Sequence, residues 1–573
     1  MNQEVLPAAA AGVSIAVTGS GGSGAVTTGL ILLEAAAQAG YYGLLTRSAG
    51  PQIRGGESAA MLRFGPAPVH CMDDRFHLLV GLDWLNVNRF LDEIPLGPDS
   101  LILADPAAGE VPMALTEGGA RVEASHFKEI ADGVDAGRLN MVALGVVGAR
   151  AGLPLVALEV GVCKTLAAKG KAVVGSALEC VRRGYGETAI ASRAGPADAP
   201  ERWNISGNEA SGLGALRGGV RFVAAYPITP ASEMLEWLAP RIERLGGALL
   251  QAEDELASVN MIIGSSFGGV PSLTATSGPG LSLMMEGLGL AVASETPVVV
   301  ANVMRGGPST GIPTKSEQSD LNIAVYGFHG DAPHLVLGAL SIGDCAFTTE
   351  WAVRLAERLQ SVAIVLSDQS LGQSRAVIDP PQTLEARLDR VTEAVPGDDY
   401  QRYRIREDGV SPMALPGVAD GMYTGDGLEH DERGTPSSLA ADHQAQLEKR
   451  RRKLALFDYG AAWGEVRGSG TLCILTWGSV SGAVFEAAER LGSQGIKVRA
   501  IALRLLAPLP RQPLLQALEG AQRVWVIEQN QGAQLFHYLH AERTLPDDAR
   551  SMARPGPLPI RPWEILNALG LEE

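Results

Sequence analysis

The sequence predicts an α/β protein with three doubly wound domains, the first of them Rossmann-like. Hydrophobic residues make up 46% of the 573 residues, aromatic residues make up only 5%, and glycine occupies 69 positions. This balance is typical of parallel sheets joined by short glycine-rich loops. Short apolar runs alternate with helical patterns along most of the chain. Because the length exceeds what one hydrophobic core usually supports, several domains are expected.

The first predicted domain covers residues 1–190. It opens with a pattern typical of a βαβ unit: a buried strand at Ser14–Thr18, a helix that extends to about Ala39, and a second strand near Leu44. A polar, proline-rich stretch follows, so residues 191–204 are predicted to form an interdomain linker.

A glycine-rich loop follows the first predicted strand. Gly19, Gly21 and Gly24 fit the pattern G-x-G-x-x-G, whose amide groups can bind a phosphate at a helix start. A dinucleotide site would have an acidic residue at the end of the next strand, which instead ends at Arg47. NAD is therefore disfavoured, while NADP or another phosphorylated adenosine stays open. Arg54, on a second loop, could meet the same ligand, and tight βα turns without any ligand explain these glycines equally well.

The second predicted domain covers residues 205–378. Glycine-rich or helical segments separate its apolar runs, which predicts another doubly wound parallel sheet. The predicted strands are Phe222–Ala225, Ser272–Thr276, Pro297–Asn302 and Val362–Leu366.

Residues 379–455 turn polar, charged and turn-rich, and are predicted to form a connecting arm without a core of its own. Alternation then returns, so residues 456–573 are predicted to form a third α/β domain. Its predicted strands are Thr471–Thr476, Val498–Leu503 and Val524–Glu528.

Charge and cysteine content narrow the classes of function. A formal net charge of -17 argues against a nucleic-acid surface, which needs clustered Lys and Arg. The five cysteines are widely scattered with no C-x-x-C pair, so any iron–sulfur cluster is expected on another chain. No basic residue precedes Arg47, and apolar runs are too short to span a membrane, so no secretion, no membrane contact and a cytoplasmic location are expected.

The tripeptide Gly425–Gly427 is similar to the start of the magnesium-binding motif of thiamine diphosphate enzymes, which needs an asparagine further along the chain. No asparagine lies between Asn322 and Asn530. The tripeptide is therefore predicted to form a turn, and no metal site is predicted on this chain.

The second domain carries the strongest functional signals, because several occur together. Arg305 follows a predicted strand directly, at the carboxyl edge where α/β sheets place their ligands. Glu253 and Glu255 begin an amphipathic segment, where a solvated helix face is the alternative interpretation. Glycine, proline and hydroxyl residues surround these groups. The four segments are Tyr226–Pro230, Glu253–Glu255, Thr276–Gly280 and Arg305–Thr314.

These four segments, in this order, resemble the α subunits of 2-oxoacid:ferredoxin oxidoreductases. The first third of the chain resembles the γ domain of that family, the centre its pyrimidine-binding domain, and the last third a transketolase C-terminal domain with Glu528–Asn530 at a strand end. The γ-then-α fusion, with Leu428–Gly434 in the arm, is most similar to the branch called 2-oxoglutarate:ferredoxin oxidoreductases or 2-oxoglutarate synthases.

The resemblance implies CoA-dependent oxidative decarboxylation of 2-oxoglutarate to succinyl-CoA and CO₂, with electrons passed to ferredoxin. Pyruvate and branched-chain 2-oxoacids stay open as substrates. Thiamine diphosphate would be shared with a β subunit that brings Mg²⁺ and a [4Fe–4S] cluster, in an (αβ)₂ assembly. The alternative of another class is a CoA- or NADP-binding module without redox chemistry, which depends on Gly19–Gly24.

The resemblance also assigns residues to the cofactor. Glu255 would hydrogen-bond the pyrimidine ring of thiamine diphosphate and promote its activation, with Glu253 as the second choice. Pro227 and Ile228 would line the same ring.

For the substrate, the resemblance implies that Arg305 binds the carboxylate with two parallel charge-assisted hydrogen bonds, while the hydroxyls of Thr229 and Thr314 add to them. Glu255, Arg305 and Thr229 are thus the expected catalytic residues. The loop at Gly19, Gly21 and Gly24, together with Arg54, is the expected CoA site.

Overall fold

The computed structural model describes residues 12–50, 56–188, 201–385 and 388–571. Its strands are β1 (Val13–Gly19), β2 (Tyr42–Ala49), β3 (Ser58–Gly65), β4 (Leu78–Gly81), β5 (Leu101–Ala104), β6 (Arg121–Ala124), β7 (Trp203–Ser206), β8 (Phe222–Ala225), β9 (Ala248–Gln251), β10 (Ser272–Thr276), β11 (Val298–Met304), β12 (Leu335–Gly338), β13 (Val362–Asp368), β14 (Arg375–Ile378), β15 (Gly464–Gly468), β16 (Leu472–Trp477), β17 (Val498–Leu503), β18 (Leu505–Ala507), β19 (Arg523–Glu528) and β20 (Arg550–Ala553). Its helices are α1 (Ala25–Gln38), α2 (Phe127–Asp132), α3 (Leu139–Arg150), α4 (Leu155–Leu166), α5 (Lys171–Gly186), α6 (Gly207–Gly218), α7 (Ser232–Ile242), α8 (Glu255–Phe267), α9 (Gly278–Ala293), α10 (Leu321–Tyr326), α11 (Ile342–Leu359), α12 (Gln369–Gln373), α13 (Ala440–Ala455), α14 (Ser481–Ser493), α15 (Arg511–Ala517), α16 (Gln534–Ala541) and α17 (Pro562–Leu569).

Three mixed α/β sheets confirm the predicted fold class. The predicted strands of all three domains are present, with ends that differ by at most a few residues. No helix among the described ranges combines the length and the apolar composition that crossing a membrane requires.

The first sheet has eight strands in the order β6-β5-β4-β1-β3-β2-β14-β7. β1 is buried along its whole length because helices cover it, as its apolar sequence predicts. The predicted βαβ unit contains an additional strand: β3 lies between β1 and β2 and pairs antiparallel with both. β4 pairs parallel with β1 on its other side, so the loops after these two strands reach the same sheet edge.

The central sheet has seven strands in the order β18-β12-β13-β11-β10-β8-β9. All neighbouring pairs are parallel except that of β12 with the edge strand β18. β10, β11 and β13 are buried along their whole length, and burial explains why β11 and β13 are almost continuous apolar runs. The chain after β8, β9, β10 and β11 therefore emerges at one common edge.

The third sheet has the order β15-β17-β16-β19-β20, with β15 antiparallel at one edge. Glu528 ends β19, and its carboxylate accepts hydrogen bonds from the backbone N–H groups of Leu535 and Phe536 at 2.8 and 2.9 Å. The carboxylate therefore caps the start of α16, where the helix dipole favours negative charge.

Two compact units divide the described residues along lines that differ from the predicted domain boundaries. The first unit takes its residues from Met1–Ser206, Gln373–Pro380 and Ile560–Glu573, and the second from Gly207–Gly372 and Pro381–Pro559. β7 and β14 complete the edge of the first sheet, although β14 follows the central sheet in sequence. The predicted boundaries at 190, 378 and 455 follow the order of apolar segments along the chain. That order does not show that a later strand such as β14 pairs with an earlier sheet.

The connecting arm is fixed to the second unit by a buried cluster of charges. Glu295 follows α9 and is fully buried, and it forms ion pairs with Lys449 and with Lys453 of α13, the second at 2.9 Å. Arg402 donates to the backbone carbonyl of Glu295 at 2.9 Å. Burial alone would raise the pKa of Glu295, but the three neighbouring cations outweigh burial and lower it.

The arm segment Leu428–Gly434 has a structural role in this fold. Glu429 accepts a hydrogen bond from Arg450 of α13 at 2.6 Å, and Glu432 accepts one from the backbone N–H of Ile405 at 2.7 Å. The predicted turn just before this segment is confirmed, since the side chain of Asp426 accepts from the N–H of Leu428 at 2.9 Å. These bonds hold the arm in one conformation.

We expect Glu295→Gln to destabilise the second unit by about 3–5 kcal/mol, because it leaves buried cations without their counter-charge. Urea unfolding of the full chain would measure the loss. Glu465→Gln is the matched control, since Glu465 pairs with Arg467 at 2.7 Å on a partly exposed surface and should cost about 1 kcal/mol or less.

The sign of the pH dependence follows from the lowered pKa of Glu295. Its contribution is fully present above the ordinary glutamate range and is lost as the pH falls below about 4.5. Glu295→Gln should therefore flatten the acid limb of the stability profile. Equal unfolding midpoints for the two variants would contradict this account of the arm.

Candidate active site

The candidate active site lies in the second unit, at the carboxyl edge of the central sheet. Segments that follow β8, β9, β10 and β11 all reach this edge. Three of them carry the predicted residues: the loop Tyr226–Pro230, the start of α8 and the loop from Arg305 onward. The sheet therefore brings the predicted segments together through strand order, not through sequence distance.

The two candidate glutamates have different environments. Glu255 is the first residue of α8 and is 6% exposed, whereas Glu253 is exposed. Asp254 begins the helix, because its side chain accepts a hydrogen bond from the N–H of Ala257 at 2.7 Å. Glu255 lies directly after this cap, with its carboxylate against Gly280. The structure thus favours Glu255 as the residue that a ligand inside the site would contact.

The start of α9 provides space for two carboxylates. A Cβ atom at Gly280 would lie 2.6 Å from Oε1 of Glu255, and one at Gly278 would lie 2.8 Å from both carboxylate oxygens of Asp320. Both positions therefore need glycine for steric reasons. The unpaired N–H groups and the dipole at a helix start stabilise nearby negative charge, which explains why two acids are tolerated there.

Arg305 is buried, with 8% of its surface exposed. Its Nη1 donates to the backbone carbonyl of Thr229 at 2.6 Å, so the loop after β8 fixes its orientation. The sequence singled out the hydroxyl of Thr229, but the carbonyl makes this contact. Burial lowers the pKa of Arg305, and the negative charge of Asp320 opposes that shift. Arg305 is thus a cation surrounded by little water.

Asp320 completes the charged part of the site, and sequence reasoning missed it. It accepts a hydrogen bond from Nδ2 of Asn302, the residue near the end of β11, at 2.9 Å. Burial raises the pKa of Asp320 to about 6, although the bond from Asn302 and the charge of Arg305 act in the opposite direction. Burial, and after it repulsion by Asp320, also raises the pKa of Glu317.

The loop from Arg305 to Asp320 has a defined shape. Gly311 has a positive φ of 57°, and the backbone of Gly306 passes too close to admit a Cβ atom there. Gln318 anchors the far end of the loop. Its backbone N–H donates to the backbone carbonyl of Gln529 at 2.8 Å, and its side-chain amide donates to the backbone carbonyl of Trp477 at 2.7 Å. The loop is therefore held by the third sheet.

Several buried polar atoms on these segments have no hydrogen-bond partner within the part of the chain that the structure describes. Buried polar groups are normally paired, so these atoms at the sheet edge are available for hydrogen bonds with a ligand. The atoms are Oγ of Ser277, Oδ1 of Asn302, Nε of Arg305 and Oγ1 of Thr314.

Two predicted cofactor residues lie in the loop after β8. Ile228 is partly buried and packs against the core of the second unit, while Pro227 is exposed. Sequence reasoning missed Asn302 and Asp320, and it singled out Thr276–Gly280 without giving its glycines a role. The available signal was position: Asn302 lies near the end of a buried strand, and Asp320 directly precedes a short helix.

The glycine-rich loop lies in the first unit, between β1 and α1. Gly24 precedes α1 with a φ of 94°, a conformation that favours glycine. The N–H and the hydroxyl of Ser20 both donate to Asp83, at 2.8 and 2.7 Å. Asp83 follows β4, so the acid near this loop comes from the spatial neighbour of β1 and not from β2. Arg54 lies outside the described residues.

Family models match three parts of the chain. Residues 14–187 match the model described as pyruvate ferredoxin/flavodoxin oxidoreductase, and residues 213–449 the model described as pyruvate flavodoxin/ferredoxin oxidoreductase, thiamine diphosphate-binding. Residues 462–543 match the transketolase C-terminal domain. The candidate active site lies within the thiamine diphosphate-binding match.

Individual relatives agree with these models. The chain is 36% identical over 358 residues to a 2-oxoacid:ferredoxin oxidoreductase subunit alpha of Saccharolobus solfataricus, a match that covers 58% of this chain and 55% of the relative. It is 34% identical over 376 residues to the 2-oxoglutarate synthase subunit KorA of Methanothermobacter marburgensis, covering 64% of this chain and 98% of the relative. The chain thus spans only about half of the first relative but nearly all of the second.

A solved structure is similar over almost the whole chain. The 2-oxoglutarate:ferredoxin oxidoreductase from Magnetococcus marinus, solved with 2-oxoglutarate, coenzyme A and succinyl-CoA bound, matches with a TM-score of 0.89 and 35% identity, over 98% of this chain and 99% of that one. The chain therefore belongs to the family of 2-oxoacid:ferredoxin oxidoreductase α subunits.

Proposed function

We propose that this chain is the α subunit of an enzyme that decarboxylates 2-oxoglutarate oxidatively, forms succinyl-CoA and passes electrons to ferredoxin. The observation that carries the proposal is the placement of Glu255, buried at the start of α8 against Gly280 of α9, at the sheet edge to which Arg305 also belongs. A buried acid and a buried guanidinium on converging loops suit an organic cofactor and an anionic substrate. Membership of the family supports the same reaction.

The residues at this edge fit thiamine diphosphate. Glu255 would hydrogen-bond the pyrimidine ring, and Pro227 and Ile228 would line it, with the unpaired buried polar atoms at the same edge as further partners. When bound, the cofactor supplies the electron sink that decarboxylation of a 2-oxoacid requires. Glu255 would hold a proton at the pyrimidine ring, in a site where little water competes for that bond.

The substrate carboxylate would bind at Arg305. A guanidinium with few water neighbours binds a carboxylate more strongly than an exposed one, and its buried Nε has no partner in the described ranges. Oγ1 of Thr314 is a further unpaired donor. The hydroxyl of Thr229 stays a prediction, because its carbonyl makes the observed contact with Arg305.

The names of several relatives favour 2-oxoglutarate over pyruvate and branched-chain 2-oxoacids. All 2-oxoacids have the carboxylate next to the oxo group, so the residues that bind it do not distinguish one 2-oxoacid from another. The distal group of the substrate would be recognised elsewhere. The solved relative binds coenzyme A. For this chain we assign CoA to the first unit, at the loop with Gly19, Gly21 and Gly24, and to Arg54.

The remaining components would come from a β subunit. Mg²⁺, the diphosphate-binding residues and a [4Fe–4S] cluster are assigned to it, in an (αβ)₂ assembly that reduces ferredoxin. The name alpha subunit, which relatives carry, supports a second chain. The five cysteines of this chain are far apart in sequence and include no C-x-x-C pair, which supports a cluster on the partner.

Coexpression with the β subunit tests the proposal. We expect a brown complex that reduces ferredoxin or a viologen in a CoA-dependent reaction with 2-oxoglutarate, faster than with pyruvate or branched-chain 2-oxoacids. The brown colour reports the cluster. A colourless monomer that binds NADP tightly and turns over no 2-oxoacid would support the alternative, a CoA- or NADP-binding module without redox chemistry.

For Glu255→Gln in this complex, we expect loss of hydrogen exchange at C2 of bound thiamine diphosphate, measured by NMR, and a fall of roughly 10²-fold or more in kcat. Glutamine keeps the volume beside Gly280 but loses the ionisable group. Glu253→Gln, at the exposed position, is the matched control and should exchange normally.

The glycine that borders Glu255 gives a second variant. Gly280→Ala should displace Glu255 and weaken thiamine diphosphate binding, whereas Gly289→Ala on the same helix meets no neighbouring atom and should not. Exchange that persists in Glu255→Gln and vanishes in Glu253→Gln would show that the wrong acid was assigned.

For Arg305→Ala, we expect the KM for the 2-oxoacid to rise strongly while the KM for CoA stays nearly fixed. The loss of a charge-assisted pair should amount to about 2 kcal/mol or more, roughly thirtyfold in kcat/KM. Arg511→Ala, which removes an exposed arginine on α15, is the control. Unchanged 2-oxoacid kinetics in Arg305→Ala would refute the assignment of Arg305.

A further inference from the structure

Asp320 contacts two parts of the candidate active site and acts on a third through its charge. It accepts the hydrogen bond of Asn302 at 2.9 Å, and it occupies the space that the missing side chain of Gly278 leaves. Its charge acts on the buried Arg305, which connects Asp320 to anion binding.

We propose that Asp320 is a positioning residue whose carboxyl group takes up a proton when an anionic 2-oxoacid binds beside Arg305, which couples substrate affinity to pH. The inference rests on the proposed function, because it takes Arg305 as the group that receives the substrate carboxylate. It deepens that function by naming the residue that adjusts the charge of the site.

The charges around Asp320 favour this uptake. Arg305 is the cation that stabilises the ionised form of Asp320, while Glu317 on the same loop is a second acid and Glu255 a third, beside Gly280. A substrate carboxylate adds negative charge and engages Arg305. Both effects disfavour the ionised form of Asp320, so the bound state favours its protonated form.

The contacts of Asp320 allow the proton to be gained without disrupting the site. An ionised carboxylate only accepts hydrogen bonds, so Asn302 must present its NH₂ group to Asp320, and its Oδ1 is then left buried and unpaired. A protonated Asp320 keeps the same bond through its carbonyl oxygen. Protonation therefore changes the charge and leaves the orientation of Asn302 intact.

The direction of the pH effect follows from linkage. In the free protein the pKa of Asp320 is raised to about 6, and a bound anion raises it further. Below about pH 6 the group is protonated in both states and the affinity is constant. Above that pH, binding requires proton uptake, so the affinity for the 2-oxoacid falls as the pH rises, by at most about tenfold per pH unit.

Steady-state kinetics of the coexpressed complex test the inference with Asp320→Asn, which keeps an acceptor for Asn302 and removes the ionisable group. In the wild type, the KM for 2-oxoglutarate should rise several-fold between pH 6 and pH 8, with no matching change in the KM for CoA. In Asp320→Asn that rise should disappear, and the KM at pH 8 should be lower than in the wild type. A merely structural role predicts a higher KM at every pH.

Calorimetry gives a readout that does not depend on turnover. Titration of 2-oxoglutarate into the complex stripped of thiamine diphosphate, in two buffers of different ionisation enthalpy at pH 7, should show net proton uptake in the wild type and none in Asp320→Asn. Should Asp320→Asn fail to fold, Gly278→Ala displaces the same carboxylate, and Gly289→Ala is its control.

The outcomes separate the two proposals. Binding and turnover of 2-oxoglutarate with equal proton uptake in the wild type and Asp320→Asn would overturn the role of Asp320 and leave the proposed function standing. Absence of both binding and 2-oxoacid turnover in the wild-type complex would overturn the proposed function, and the role of Asp320 with it.

Discussion

Helix α9 is the element on which the second unit depends, because charge is placed at both of its ends. At its start, the lack of side chains at Gly278 and Gly280 lets Asp320 and Glu255 approach the unpaired N–H groups of the helix. Just after its end, Glu295 holds the lysines of the arm. At the start of α9, the helix dipole stabilises the two acids. After its end, the cations of the arm neutralise the buried Glu295. The position of α9 along its axis is thus fixed from both directions.

The site uses burial in place of a large excess of positive charge. The whole chain has a formal charge of -17, yet it must bind an anionic substrate if the proposed function holds. In the proposed function one arginine, Arg305, would bind the carboxylate, because it is shielded from water and oriented by a backbone carbonyl, so that its interaction with a carboxylate is weakly screened. The same shielding gives the neighbouring acids raised pKa values. A site of this kind responds to small changes of charge.

The sequence predicted the fold class, the strands and the segments that meet at the candidate site. Strand order explains why: Arg305 follows the buried apolar run of β11, Glu255 follows the neighbouring part of the same parallel sheet, and parallel strands in α/β proteins place their carboxyl ends at one edge. The sequence did not predict the environment of individual side chains. Glu253 and Glu255 have the same local pattern, yet Glu255 is buried at the start of α8 and Glu253 is exposed. Asp83 and Asp320 act on residues that are distant in sequence, and β3 enters between β1 and β2, so no local periodicity could report them.

The first unit is encoded in three separate stretches, since β14 and α17 return to it after the central and third sheets. In the last stretch, Arg561 is buried and donates to the carbonyls of Asp73 and Glu93. Loss of this last stretch would therefore damage the first unit, most of which lies within residues 1–206. A single division of the chain cannot yield the first unit complete, because residues of the second unit lie between its three stretches. The two units therefore cannot be separated into two chains at one point.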